Sequence, residues 1–235
     1  MPGAVMPRRA YPNFKQTNTM KLTLSLAVAA IASLTAISGV VPPKKINKGP
    51  LAKHARIAAK PVVFKADVKA SKLTWQAKKA TGDHSGTVSI SDGSFTLEDN
   101  AIKAGTFEID TRTIADTDIA DAESNAKLVT HLKSADFFNA EAHPKAKFVL
   151  TSAAKGAGNT YDVKGNLTIK GITNAVSFPA TVLVSGNKLT ANAKITIDRT
   201  KYDIKFRSKN FFENLGDKVI YDDFDINVAL VANAQ

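Results

Sequence analysis

With 235 residues and no cysteine, the chain is long enough for one all-β barrel or two small domains, and it has no access to disulfides, thiol catalysis or thiolate zinc sites. Ten of the 32 Lys and Arg, and none of the 21 Asp and Glu, fall in residues 1–60. The remaining 22 cations face 21 anions, so the +11 of the whole chain belongs to its start and implies no basic face for nucleic acid.

Residues 1–38 read as a secretory signal peptide. Met20-Lys21 is followed by an uncharged run over 22–37, and Ala36 and Ser38 stand at the −3 and −1 positions before Gly39. Met20 would itself make an ordinary start, so residues 1–19 fit a start codon assigned too early. The rival reading is a retained anchor, for which the strongly apolar part, 24–37, is short of the roughly 20 residues of a span. Arg8-Arg9 is a poor twin-arginine signal, because Tyr11-Pro12-Asn13 follows where apolar residues are expected. The expected location is periplasmic or secreted. Residues 39–60 carry Pro42-Pro43 and six Lys or Arg without acids or aromatics, and read as a basic flexible linker. The folded domain is expected over 61–235.

From Val62 onward the dominant period is two. Phe107 and Ile109 alternate with Thr106, Glu108 and Asp110; Tyr161, Val163, Leu167 and Ile169 share a face; so do Val176, Phe178, Ala180, Val182 and Val184. Leu189, Ala191, Ala193, Ile195 and Ile197 repeat the pattern, and Phe224, Ile226, Val228 and Leu230 end it. Turn chemistry separates the runs at Asp92-Gly93, Asp99-Asn100, 156–159, Lys170-Gly171 and Gly186-Asn187. About eight strands joined mainly by short turns predict an all-β antiparallel meander that closes into a barrel. Residues 121–133 predict one short helix, stopped by Pro144. The irregular segment 203–218, with Phe206, Phe211 and Phe212, is expected to pack on the barrel or cover an end. Ala180, Ala191, Ala193, Gly105 and Gly165 lean small for inward positions, which favours a lumen over a filled core.

Four groups of residues resemble a known family. They are Leu73-Thr74-Trp75 with 81–86 (TGDHSG); 130–138 (THLKSADFF) with His143-Pro144 and Phe148; 165–171 (GNLTIKG); and 197–202 (IDRTKY). In this order, over about 62–231, the chain resembles the YceI-like family of lipid- or polyisoprenoid-binding proteins. That resemblance implies an eight-stranded, lipocalin-like barrel with an apolar lumen for a long isoprenoid chain. His143 departs from the family in standing where many relatives carry tyrosine.

The expected function is a carrier without catalysis or cofactor, holding a polyisoprenoid or similar lipid. Lumen candidates are Phe107, Ile109, Phe178, Val182, Leu189, Ala191 and Ile195, with His84 and Arg199 at the rim for a headgroup. For Arg199 an ion pair with Asp198 or Asp203 stands as the alternative. An enzyme acting on lipid in the same cavity and a filled interaction barrel remain alternatives; transient membrane contact and a homodimer stay open as partners. No metal is expected, because His84, His131 and His143 lack ligand spacing. The acid pairs Asp116/Asp118 and Asp222/Asp223 read as solvated surface. A chain of roughly 40 carbons would gain about 30 kcal/mol on leaving water, beyond the practical ceiling of affinity. The membrane is therefore the competitor that matters.

Overall fold

The computed structural model describes residues 60–235; the expected leader and nearly all of the linker lie outside the described residues. The alternating runs form β1 (Val62–Ala66), β2 (Lys72–Lys79), β3 (Gly82–Glu98), β4 (Ala101–Asp116), β5 (Lys145–Lys155), β6 (Thr160–Ile169), β7 (Ile172–Ser185), β8 (Lys188–Asp198) and β9 (Ile220–Ala234). One helix, α1 (Ala122–Lys133), lies between β4 and β5. Its N-cap is Asp121, whose side chain accepts the Ser124 N–H at 2.9 Å. Strands β2 to β9 pair antiparallel in chain order, and β9 returns to β2, closing an eight-stranded barrel.

The remaining strand is not a ninth stave. β1 pairs with β3 and β9, the same neighbours as β2, further along them: Phe64 faces Phe95 and Ala234, whereas Leu73 faces Val88 and Val228. Together β1 and β2 make one stave, broken between Asp67 and Ser71. The Asp67 carboxylate accepts the N–H groups of Lys69 and Ala70 at 3.1 and 3.0 Å. The Ser71 hydroxyl accepts the Val231 N–H at 3.0 Å and donates to the Val231 carbonyl at 3.2 Å. A side chain thus replaces a backbone rung at the break.

Asp99-Asn100 and Lys170-Gly171 are two-residue turns with left-handed φ at both positions, which matches the twist of a hairpin. The expected turn at Asp92-Gly93 is absent. Both residues lie inside β3, where the register against β4 shifts between Ile90 and Asp92. A Cβ on Gly93 would sit 2.2 Å from the Phe107 ring, so this glycine makes room for an aromatic within a bulged strand.

The two irregular insertions cover the same end of the barrel. Phe137, from the connection after α1, and Tyr202 and Ile204, from the segment after β8, form one buried cluster with Ile169 and Ile197. At the opposite end, Phe64, Leu97, Ile102, Leu189 and Ala232 close the barrel beneath the short turns.

Gly86 lies opposite Trp75, and a Cβ there would stand 1.9 Å from the Ala115 carbonyl oxygen and 2.6 Å from the indole. Gly86→Ala is expected to lower stability by roughly 1–3 kcal/mol through overpacking, read as a lower urea midpoint with an unchanged slope. An unchanged midpoint would mean that β3 and β4 separate there at no cost.

Candidate functional site

Inward residues at the short-turn end are buried, with Leu189 and Ala232 at 0 % exposure. At the waist, inward Phe148, Leu150, Phe178, Ala193, Ile195 and Val228 keep intermediate exposure. A filled interior would bury its middle most deeply, so this inversion marks a hollow. The hollow measures about 240 Å³. Its wall is apolar except for Trp75, Thr111, Arg199 and Tyr221. Three of these four direct polar atoms at backbone carbonyls: Trp75 at Ala115 (3.2 Å), Thr111 at His143 (2.8 Å), and Arg199 at three carbonyls.

Of the sequence candidates, Phe107, Ile109, Phe178, Val182, Ala191, Ile195 and Arg199 line the cavity. Leu189 is fully buried in the cluster at the short-turn end and does not reach the wall. His84 faces Ala77 across the β2–β3 ladder at the helix-bearing end, also off the wall, with Nδ1 3.0 Å from Asp118 Oδ2. Sequence reading did not assign Leu132, Phe137, Phe138 and Ile204 to the cavity, although the aromatic richness of the two insertions was the available signal.

Arg199 is 4 % exposed and donates to the carbonyls of Tyr221 (3.1 Å), Ile204 (2.9 Å) and Ile220 (3.0 Å), and to Asp222 Oδ1 (3.2 Å). Its ion-pair partner is Asp222, not Asp198 or Asp203. Asp198 accepts from Thr200, and Asp203 pairs with Lys205. Burial pushes the guanidinium pKa down, while Asp222 and Asp198 oppose that shift. Asp222 is likewise no solvated surface acid. It also accepts the Ser208 hydroxyl (2.9 Å) and the Asn210 amide (2.6 Å). The N–H groups of Phe211 and Phe212 both bond the Ser208 carbonyl. Two phenylalanines, 50 % and 49 % exposed, are thereby held on a turn pinned through one carboxylate to the cavity wall. Lys205 Nζ stands 5.0 Å from the Phe211 ring centre.

The three histidines considered for a metal do not gather. His131 pairs with Asp136 at 3.0 Å, and the His143 ring lies near Gly171. Among the described residues one group of potential ligands does gather, His84 with Asp116 and Asp118. Asp116 is 8 % exposed, so the surface reading of that pair is corrected too.

Arg199→Met removes the guanidinium donors to the three carbonyls and leaves Asp222 without its cation. Breaking a buried pair in this way costs about 3–5 kcal/mol, and urea unfolding is expected to show a loss of that size. A loss below about 1 kcal/mol would mean that water substitutes for the guanidinium.

A family model described as the YceI-like domain matches residues 64–232. A UPF0312 protein of Pseudomonas putida (strain W619) is 33 % identical over 127 residues, covering 51 % of this chain and 63 % of its own length. A UPF0312 protein of Photorhabdus laumondii is 33 % identical over 133 residues, covering 57 % and 66 %. The chain thus spans a little under two thirds of the length of such relatives. Among solved structures, BcnA of Burkholderia cenocepacia superposes with a TM-score of 0.59 at 24 % identity, covering 72 % of this chain and 99 % of BcnA. A polyisoprenoid binding domain from Saccharophagus degradans superposes at 0.54 with 14 % identity, covering 73 % and 98 %. At these identities the likeness carries the fold. The family model, however, runs from the first stave of the barrel to the last, and on that match this chain belongs to the YceI-like domain family.

Proposed function

We propose that the protein is an exported carrier, periplasmic or secreted, that holds a polyisoprenoid or similar lipid tail in its lumen. The observation that carries this reading is a hollow whose wall is hydrocarbon and whose few polar atoms are mostly occupied by backbone. Such a wall rewards an apolar chain and penalises a buried polar group left without a partner, by several kcal/mol for a phosphate. A headgroup therefore belongs outside the wall, at the helix-bearing end, beyond Arg199, whose donors are held by three carbonyls and Asp222. Among the described residues the wall offers no carboxylate, imidazole or thiol, which favours holding over turnover. The family and the binding domain named for Saccharophagus degradans support the same ligand class, and the apolar run at 22–37 supports export.

Native mass spectrometry of protein from its own host is expected to find co-purified lipid, recovered chemically unchanged. Ala193→Trp places an indole at the waist and is expected to abolish that mass while melting stays cooperative. Equal lipid in the variant would remove the lumen as the binding place.

Loading from a bilayer requires contact with one, and the pinned Phe211-Phe212 turn with Lys205, Arg207 and Lys209 beside it suits an anionic surface. The chain lacks cysteine, so Phe212→Cys gives a single labelling site. A dye there is expected to shift to the blue on vesicles of phosphatidylcholine with phosphatidylglycerol, whereas a dye at Asn187→Cys, on the short-turn end, is not. Equal responses at both sites would overturn this docking geometry, whatever holds the chain to the vesicle.

A further inference from the structure

The helix-bearing end holds a second arrangement, independent of the lumen and of the carrier reading. β3 and β4 part after Gly86 pairs with Asp116, and the chain then crosses back over β3. The Thr117 N–H donates to the Ser85 carbonyl at 2.9 Å, and the Asp118 carboxylate accepts the Ser85 N–H at 2.7 Å. Asp118 Oδ2 faces His84 Nδ1 at 3.0 Å. Asp116 Oδ1 accepts the Ile119 N–H at 2.9 Å and the Asn125 side-chain amide at 3.1 Å. Its other oxygen, Oδ2, is buried and has no hydrogen-bond partner. One ring nitrogen of His84 and one oxygen from each carboxylate lie within 4.8 Å of one another.

This is an electrostatic problem left open. A carboxylate oxygen out of contact with water, beside a second carboxylate, has no donor to answer its lone pairs. A cation between the two acids would give that oxygen a partner.

We propose that His84, Asp116 and Asp118 form a binding site for a divalent cation of the zinc or manganese type. One imidazole and two carboxylates suit zinc and manganese, which accept nitrogen as well as oxygen donors; calcium favours all-oxygen sets of six to eight ligands. Bonds of about 2.0–2.2 Å to zinc require the three donors to draw together from their present spacing. The ion enters between the imidazole and Asp118, in place of the hydrogen bond they share. The supporting contacts are already built: Asn125 on α1 orients Asp116, and the Ser85 N–H orients Asp118. Three protein donors leave further coordination positions to water. The bound ion ties the β4–α1 connection to the start of β3.

Trp75, the only tryptophan in the chain, provides a local reporter, because its indole N–H bonds the Ala115 carbonyl next to Asp116. Titrating the full chain at neutral pH with zinc or manganese chloride is expected to change its emission saturably, with one site by calorimetry and a raised melting temperature. Magnesium at equal concentration is expected to do little. His84→Ala and the near-isosteric Asp116→Asn are each expected to weaken the response at least ~10-fold while still melting cooperatively. Emission unchanged up to millimolar metal overturns the site. So does equal affinity in His84→Ala, which would place the ion on His54, His131 or His143. If Asp116→Asn instead stabilises the protein and the parent binds no ion, the two acids share a proton and the proposal is wrong.

Discussion

Every inward row of the barrel depends on the seam where β9 meets the broken stave β1–β2. Along its other edge β9 pairs with β8 over most of its length, so loss of the seam would leave an open sheet with two edges. Once it is closed, an eight-stranded barrel has an interior that large side chains would just fill. Residue size then separates a core from a hollow. Gly165, Ala180, Ala191 and Ala193 lie on inward rows and leave space beside Phe148 and Phe178, while Phe64, Leu97, Phe137, Tyr202 and Ile204 fill the two ends. The lumen results from those small inward residues.

Strand alternation was legible because each inward row is a run of apolar residues spaced by two, and closure removes any ambiguity about which face is inside. Helix α1 was legible through apolar residues at helical spacing and the proline beyond it. Asp92-Gly93 misled because an aspartate-glycine pair serves a hairpin and a bulge equally well, and only the Phe107 ring across the ladder distinguishes them. Arg199 was legible as unusual but not in its partner. Asp222 lies 23 positions away, brought alongside by the β8–β9 ladder, whereas Asp198 and Asp203 were merely near in sequence. The gathering of His84 with Asp116 and Asp118 was hidden for the same reason, since it forms only where β3 and β4 part.

Two carboxylates at the helix-bearing end make an instructive contrast. Asp222 receives a guanidinium, a hydroxyl and an amide, and organises everything from the cavity wall to the exposed Phe211-Phe212 turn. Asp116 receives donors on one oxygen and none on the other. The first is a finished structural joint. The second is incomplete, and the fold sets the two at the same mouth, Asp222 on β9 and Asp116 at the end of β4, with β2 and β3 between them.

The rung between Ser71 and Val231 joins residues 160 positions apart. A contact of that span makes folding slow, because the loop must be closed before the contact stabilises anything. At synthesis rates of about 5–20 residues per second, the ribosome delivers the second partner roughly 8–30 s after the first. Until then the nascent chain can form hairpins but no seam, and its inward rows stay open to water and to other strands. The barrel thus forms only once β9 is made, and removal of Ile220–Ala234 would leave an aggregation-prone sheet in place of a smaller barrel.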